Sequence, residues 1–158
     1  MAKFKVKYPT RRRLQRAIMQ VIQREGLTDT YVMKDSIRIS AVGGDNNEMI
    51  ITINAIYYYM FQDLGASDAG RGRNIDLRPH NITEKAFRTN QGRKFLAEVV
   101  QAYMDFVTNN PKFNILDLAN LQITPKMIIE YNLFGDPSGK WNGTFRSEEA
   151  VAIQWDEA

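Results

Sequence analysis

The chain has 158 residues, 44% of them apolar and 25% charged, with a net charge of +3 and no cysteine. That length and apolar share suit one globular domain and exclude a disordered chain, while the missing cysteines exclude disulfides, thiolate metal sites and thiol nucleophiles. No apolar run approaches the length of a membrane span, and the basic start at Lys3, Lys5 and Lys7 is not followed by the apolar run of a secretory signal.

The charge is unevenly spread. Residues 1–94 carry a net +8 and residues 95–158 a net −5. Before Glu25 stand Lys3, Lys5, Lys7, Arg11, Arg12, Arg13, Arg16 and Arg24, without an acid among them. Such a basic front attracts nucleic acid, or the acidic back half of a neighbouring copy.

Residues 1–8 alternate Phe4, Val6 and Tyr8 with lysines, which predicts a short strand or an extended arm with lysine guarding its edge. Leu14, Ala17, Ile18, Val21 and Ile22 follow the spacing of one buried helical face. Thr10 is the expected cap and Gly26 the left-handed stop, so a helix should end near Glu25. Tyr31 to Met33 could add a strand. Ser36 to Val42 and Met49 to Ile53 alternate around a turn-forming Gly43–Glu48 stretch, which predicts a β-hairpin. Tyr57–Leu64 is apolar or aromatic almost throughout and either ends the second strand or forms a short helix.

Gly65–Pro79 reads as a loop of about 15 residues, longer than most in compact domains. Asn81 or Thr83 can open a helix through Phe87. A second helix is expected over Arg93–Thr108, with Gly92 kinking one long helix or separating two. Residues 113–123 fit either helix or strand. Thr124 and Pro125 suit a helix start, giving a short helical run to Tyr131. Gly135–Gly139 is turn chemistry, and Trp141–Trp155 suggests a pair of strands or an extended tail. The fold class is thus α+β: a twisted antiparallel sheet carrying the N-terminal helix and the second long helix. Residues 1–110 form the expected core domain, and 111–158 a C-terminal extension packed on that core or on a partner.

Few residues suggest chemistry. His80 is the only histidine and stands beside Pro79, as a surface residue would. Gly70–Arg73 matches neither phosphate-binding nor dinucleotide-binding glycine patterns. Acid pairs such as Asp63 with Asp68, or Glu148 with Glu149, read as solvated surface rather than a metal site. No nucleophile–base–orienter set is present, so no enzyme activity, cofactor, metal or small-molecule substrate is expected. Tyr57, Tyr58, Tyr59 and Phe61 could stack on bases, but fit better as part core and part contact with a neighbour. Basic residues Lys3, Lys5, Lys7, Arg11, Arg12, Arg13 and Arg16 suit either phosphate contact or an assembly arm.

One resemblance organises these parts. An amphipathic helix and a β-hairpin lead into Ile56, the aromatic patch Tyr57–Phe61, the acid Asp63 and Gly65. A variable loop, Arg78-Pro79 and a further helix follow. This order resembles the tail-completion, or head–tail joining, proteins of tailed bacteriophages, over roughly residues 10–108. The next aromatic after Arg78-Pro79 comes later here than in that family, and residues 111–158 have no counterpart in it. The resemblance implies a virion structural protein, made in the host cytoplasm, in a ring of the neck around the genome path. Its partners would be further copies of itself and portal, connector or tail proteins, with nonspecific DNA contact in a channel and no membrane. The expected interface residues are Tyr57, Tyr58, Tyr59, Phe61, Arg71, Arg73, Arg78, Trp141, Phe145 and Trp155, and either the basic arm Lys3–Arg16 or the Arg71–Arg78 loop would meet acids such as Glu148, Glu149, Asp156 and Glu157 on the adjacent subunit or partner. The alternative is a nucleic-acid-binding accessory protein using that arm and the arginine loop.

Overall fold

A computed structural model describes residues 3–26, 30–45, 48–64, 80–109 and 126–146. The elements run β1 (Phe4–Lys5), α1 (Tyr8–Glu25), α2 (Thr30–Ser36), β2 (Arg38–Gly44), β3 (Glu48–Ile56), α3 (Tyr58–Leu64), α4 (Ile82–Arg88), α5 (Asn90–Thr108), β4 (Lys126–Phe134) and β5 (Gly143–Arg146). The strands lie side by side in sequence order within one sheet. None of the described helices is long and apolar enough to cross a membrane.

The α+β class holds, but the sheet is mixed, not antiparallel. β3 and β4 run parallel in unbroken register from Glu48 beside Lys126 to Ile56 beside Phe134. The other three pairings are antiparallel. A parallel pair needs a long crossover, and the chain between these strands includes α3, α4 and α5. The expected helix reaching Tyr131 is therefore wrong over its described residues. Tyr131 and Leu133 are buried at a spacing of two, the period of a strand. Residues 126–146, assigned to the C-terminal extension, supply two strands of the central sheet.

Helix α1 buries the five predicted apolar residues, and Gly26 ends it at φ 60°. Its start lies earlier than expected. Lys7 is the N-cap and Pro9 sits in the first turn, where its missing N–H costs no hydrogen bond. Thr10 is inside the helix and donates to Glu98 Oε1 at 2.9 Å.

Tyr31–Met33 is helical, not a strand. Met33 and Ile37 are buried while Val32 is exposed, a spacing of four that fits a helix entering β2. Ser36 Oγ closes α2 by donating to Met33 O at 2.6 Å, and accepts from Ile56 N at 3.0 Å. The predicted hairpin is present, with a register shift between Ile39 and Ala41. Tyr57–Leu64 resolves as the short helix α3.

The break between α4 and α5 falls at Thr89, not Gly92. Thr89 is extended, and its Oγ1 accepts from Gly92 N at 3.0 Å, capping α5. Gly92 has a different duty: a Cβ there would lie 1.8 Å from Ala86 O. Only glycine lets the first turn of α5 lie that close to α4.

The core sits between the helices and one face of the sheet. Leu14, Ile18 and Ile22 of α1 meet Phe95 and Val99 of α5 above Ile51 and Ile53 of β3. Phe4 closes one end, with ring centroids 5.7 Å from Tyr103 and 5.5 Å from Phe106. The predicted Gly135–Gly139 turn joins β4 to β5. Asp136 organises it by accepting from Ser138 N and Trp141 N, and these bonds hold its carboxyl below the usual range.

Candidate functional site

The one buried acid among the described residues is Asp63. It follows the buried aromatic face of α3, Tyr59 to Phe61, and is itself 2% exposed, not the solvated surface residue expected, because α3 turns it inward with those aromatics. A carboxylate placed there must find donors, because an unpaired buried charge is heavily penalised. Asp63 Oδ1 accepts from Thr83 N at 2.9 Å. Its Oδ2 accepts from the Thr83 hydroxyl at 2.6 Å and the Tyr131 hydroxyl at 2.8 Å. Tyr59 lies 2.7 Å from Thr83 Oγ1. The single Thr83 hydroxyl proton points to Asp63, so Tyr59 is the donor in that contact.

This arrangement solves a capping problem. The residue ahead of α4, Asn81, stands at φ 51° and makes no side-chain cap. Asp63 does that work from another helix, placing negative charge at the first turn of α4. Two backbone bonds reinforce the joint: His80 N donates to Gln62 O at 2.9 Å and Asn81 N to Asp63 O at 3.0 Å. The end of α3 and the start of α4 are thus fastened together, and Tyr131 ties them to β4 in the sheet.

Desolvation raises the Asp63 carboxyl above the ordinary aspartate range, while the bonds from Thr83 and Tyr131 pull the other way. Burial also lifts the Tyr59 and Tyr131 hydroxyls well above the usual tyrosine value, with the Asp63 charge adding to the effect. Both tyrosines therefore stay protonated and remain donors. The cluster can hold three elements together, but it is sealed from solvent and offers no open position for a substrate.

The expected interface aromatics divide. Tyr59 and Phe61 are buried core residues, not contact surface, because α3 turns them towards the sheet and α4. Tyr57 and Tyr58 are half-buried and meet edge to face at 5.2 Å. Trp141 packs edge-on against Phe61 at 4.8 Å, and Phe145 lies 5.9 Å from Trp141. These two join the β4–β5 turn to α3. Arg71, Arg73, Arg78 and Trp155 lie outside the described residues, as do Asp68, Glu148, Glu149, Asp156 and Glu157.

The basic arm also divides. Lys3, Lys5 and Lys7 are exposed along β1 and the approach to α1. Arg11 turns inward. Its Nη1 donates to Ile39 O at 3.2 Å and Ser40 O at 2.8 Å, at the register shift in β2, where a carbonyl leaves the ladder. Arg13 is taken up by α5: its Nε lies 2.7 Å from Glu98 Oε2, and its Nη1 donates to Gln91 Oε1 at 3.1 Å. Arg12 and Arg16 point outward from α1. Arg11 and Arg13 are therefore structural.

Thr83 and Tyr131 were not singled out as partners of Asp63 from sequence. One signal pointed to them. An acid embedded in an aromatic helical face requires donors from elsewhere in the chain, although sequence does not say which. The sequence matches no family model, no curated protein and no solved structure.

Proposed function

We propose that this chain is a virion structural protein, a subunit of an oligomeric ring in the head–tail connector or tail-completion complex of a tailed bacteriophage. It holds neighbouring ring proteins together around the genome path, and its role is assembly, not catalysis. The observation that favours this reading is the hub at Asp63. The aromatic-patch-then-acid motif behind the resemblance forms a joint that fastens the end of α3 and the start of α4 to the sheet. Such a fixed joint between elements suits a protein that presents surface to other chains.

Copies would join head to tail, since a heterologous contact that closes gives a ring. Half-buried Tyr57 and exposed Phe134, joined by the bond from Tyr57 N to Phe134 O, offer apolar surface to such a joint. The lysines of β1 would meet acidic surface on the next copy, which sets register and encounter rate more than affinity.

The test removes residues 1–8 or 145–158 and measures particle mass in solution and incorporation into virions. Circular dichroism would establish that each truncated chain still folds. The reading expects at least one truncation to fold yet stop assembling. Normal assembly in both rejects it.

A further inference from the structure

We propose that the outward face of α1, together with Arg38, is a docking surface for the phosphate backbone of nucleic acid. The surface is defined by how the fold sorts its arginines. Arg11 is bound to β2 carbonyls and Arg13 to Glu98. Lys85 is paired with Glu25 at 2.6 Å, on the α4 side of α1. Arg12 and Arg16, one helical turn apart and both exposed, have no acidic partner among the described residues.

Arg38 comes to the Arg12 end of this pair from the start of β2. It is held by donating to Asp35 O at 3.1 Å and Ile37 O at 2.7 Å. Arg11, Arg12 and Arg38 then line one open cleft of about 550 Å³ between α1 and the α2–β2 junction, with Tyr8 and Gln15 on the helix side. Asp35 is its one acid among the described residues.

Tyr8 sits at the rim and is 54% exposed. Arg12 Nη1 donates to its hydroxyl at 3.0 Å, and the Arg11 guanidinium lies 5.5 Å from its ring centre. The ring is thereby held beside the cations with much of its surface open, as a base-stacking platform requires. Guanidinium groups bind phosphate through paired N–H donors. A line of exposed arginines, each weak alone, suits a polyanion of repeating charge better than a single small anion. This surface works in a single chain and does not depend on ring formation.

The test is fluorescence anisotropy with random-sequence single-stranded and duplex oligonucleotides at several salt concentrations. The R12Q/R16Q/R38Q variant should bind each at least 10-fold more weakly at low salt, with the slope of log affinity against log salt reduced by about 2 to 3. A control with the same loss of charge on α4 and α5, R88Q/R93Q/K94Q, should lose less than 3-fold. Tyr8→Leu should weaken the single strand more than the duplex. The proposal is overturned if the native chain shows no salt-dependent binding, if the control loses as much as the α1 variant, or if a poly-glutamate peptide displaces the oligonucleotide at equal charge concentration. Particle mass and virion incorporation report on the ring separately.

Discussion

The Asp63 hub and the outer face of α1 manage charge in opposite ways. At the hub one carboxylate lies out of solvent, and donors from Thr83 and Tyr131 meet it on both oxygens. On the outer face Arg12 and Arg16 are exposed, with no acidic partner among the described residues. Buried charge must be met by fixed partners, so it dictates geometry and its loss is expensive. Solvated charge costs little to leave unpaired and contributes little to stability, so it is free for binding. The fold depends on the first kind and recognition on the second.

Removing the carboxylate should have the largest effect. Asp63→Ala strands three donors and should lower stability by about 3–5 kcal/mol, read from urea unfolding. A loss below about 1 kcal/mol would show that water replaces the carboxylate and that the hub is not a joint.

Gly92→Ala comes next. Its Cβ would strike Ala86 O, so α4 and α5 must separate, at a cost of about 1–3 kcal/mol. Tyr131→Phe deletes one donor to Asp63 and should cost about 1–2 kcal/mol. An unchanged midpoint would mean that Thr83 alone satisfies the acid.

Acid titration separates two carboxylates of opposite sign. Burial raises the folded-state value of Asp63, so the folded chain holds that proton more tightly than the unfolded chain does. The resulting stability is fully present below the unfolded value of about 4 and is lost as pH rises through the folded value. The stability of the native chain relative to Asp63→Asn should therefore fall as pH increases across that window. Glu25 is the reverse case, lowered chiefly by its hydrogen bond from Lys85. Its contribution is present above the unfolded value and lost as pH falls through the folded one. Lys85→Ala should return the Glu25 titration towards its ordinary position, read by NMR, and cost less than about 1 kcal/mol because the pair is half-exposed.

The smallest effect belongs to the outer face. Arg12→Gln with Arg16→Gln should change stability by no more than about 0.5 kcal/mol in either direction. A larger loss would place these arginines among the structural group with Arg11 and Arg13.

Local signals were enough for α1, for the hairpin of β2 and β3, and for the turn at Gly135–Gly139. Each rests on a pattern contained in a few neighbouring residues: the 3.6-residue apolar spacing from Leu14 to Ile22, period-two alternation, and glycine where φ is positive. The parallel seat of β4 was not contained in any such window. Each residue of β4 pairs with one 78 positions earlier in β3, as Lys126 does with Glu48, and a nine-residue stretch in which Glu130 and Asn132 interrupt the apolar residues reads as strand or helix until something pairs with it. Arg11, Arg12 and Arg13 look equivalent along the chain. Only packing against β2 and α5 takes the first and third and leaves the second in solvent. Asp63 shows the same division. Beside Asp68 in the sequence it reads as solvated surface, yet it is buried, and Thr83 and Tyr131 meet it only after α4 and β4 have docked, because a hydrogen bond needs two groups within about 3 Å and sequence separation says nothing about that distance.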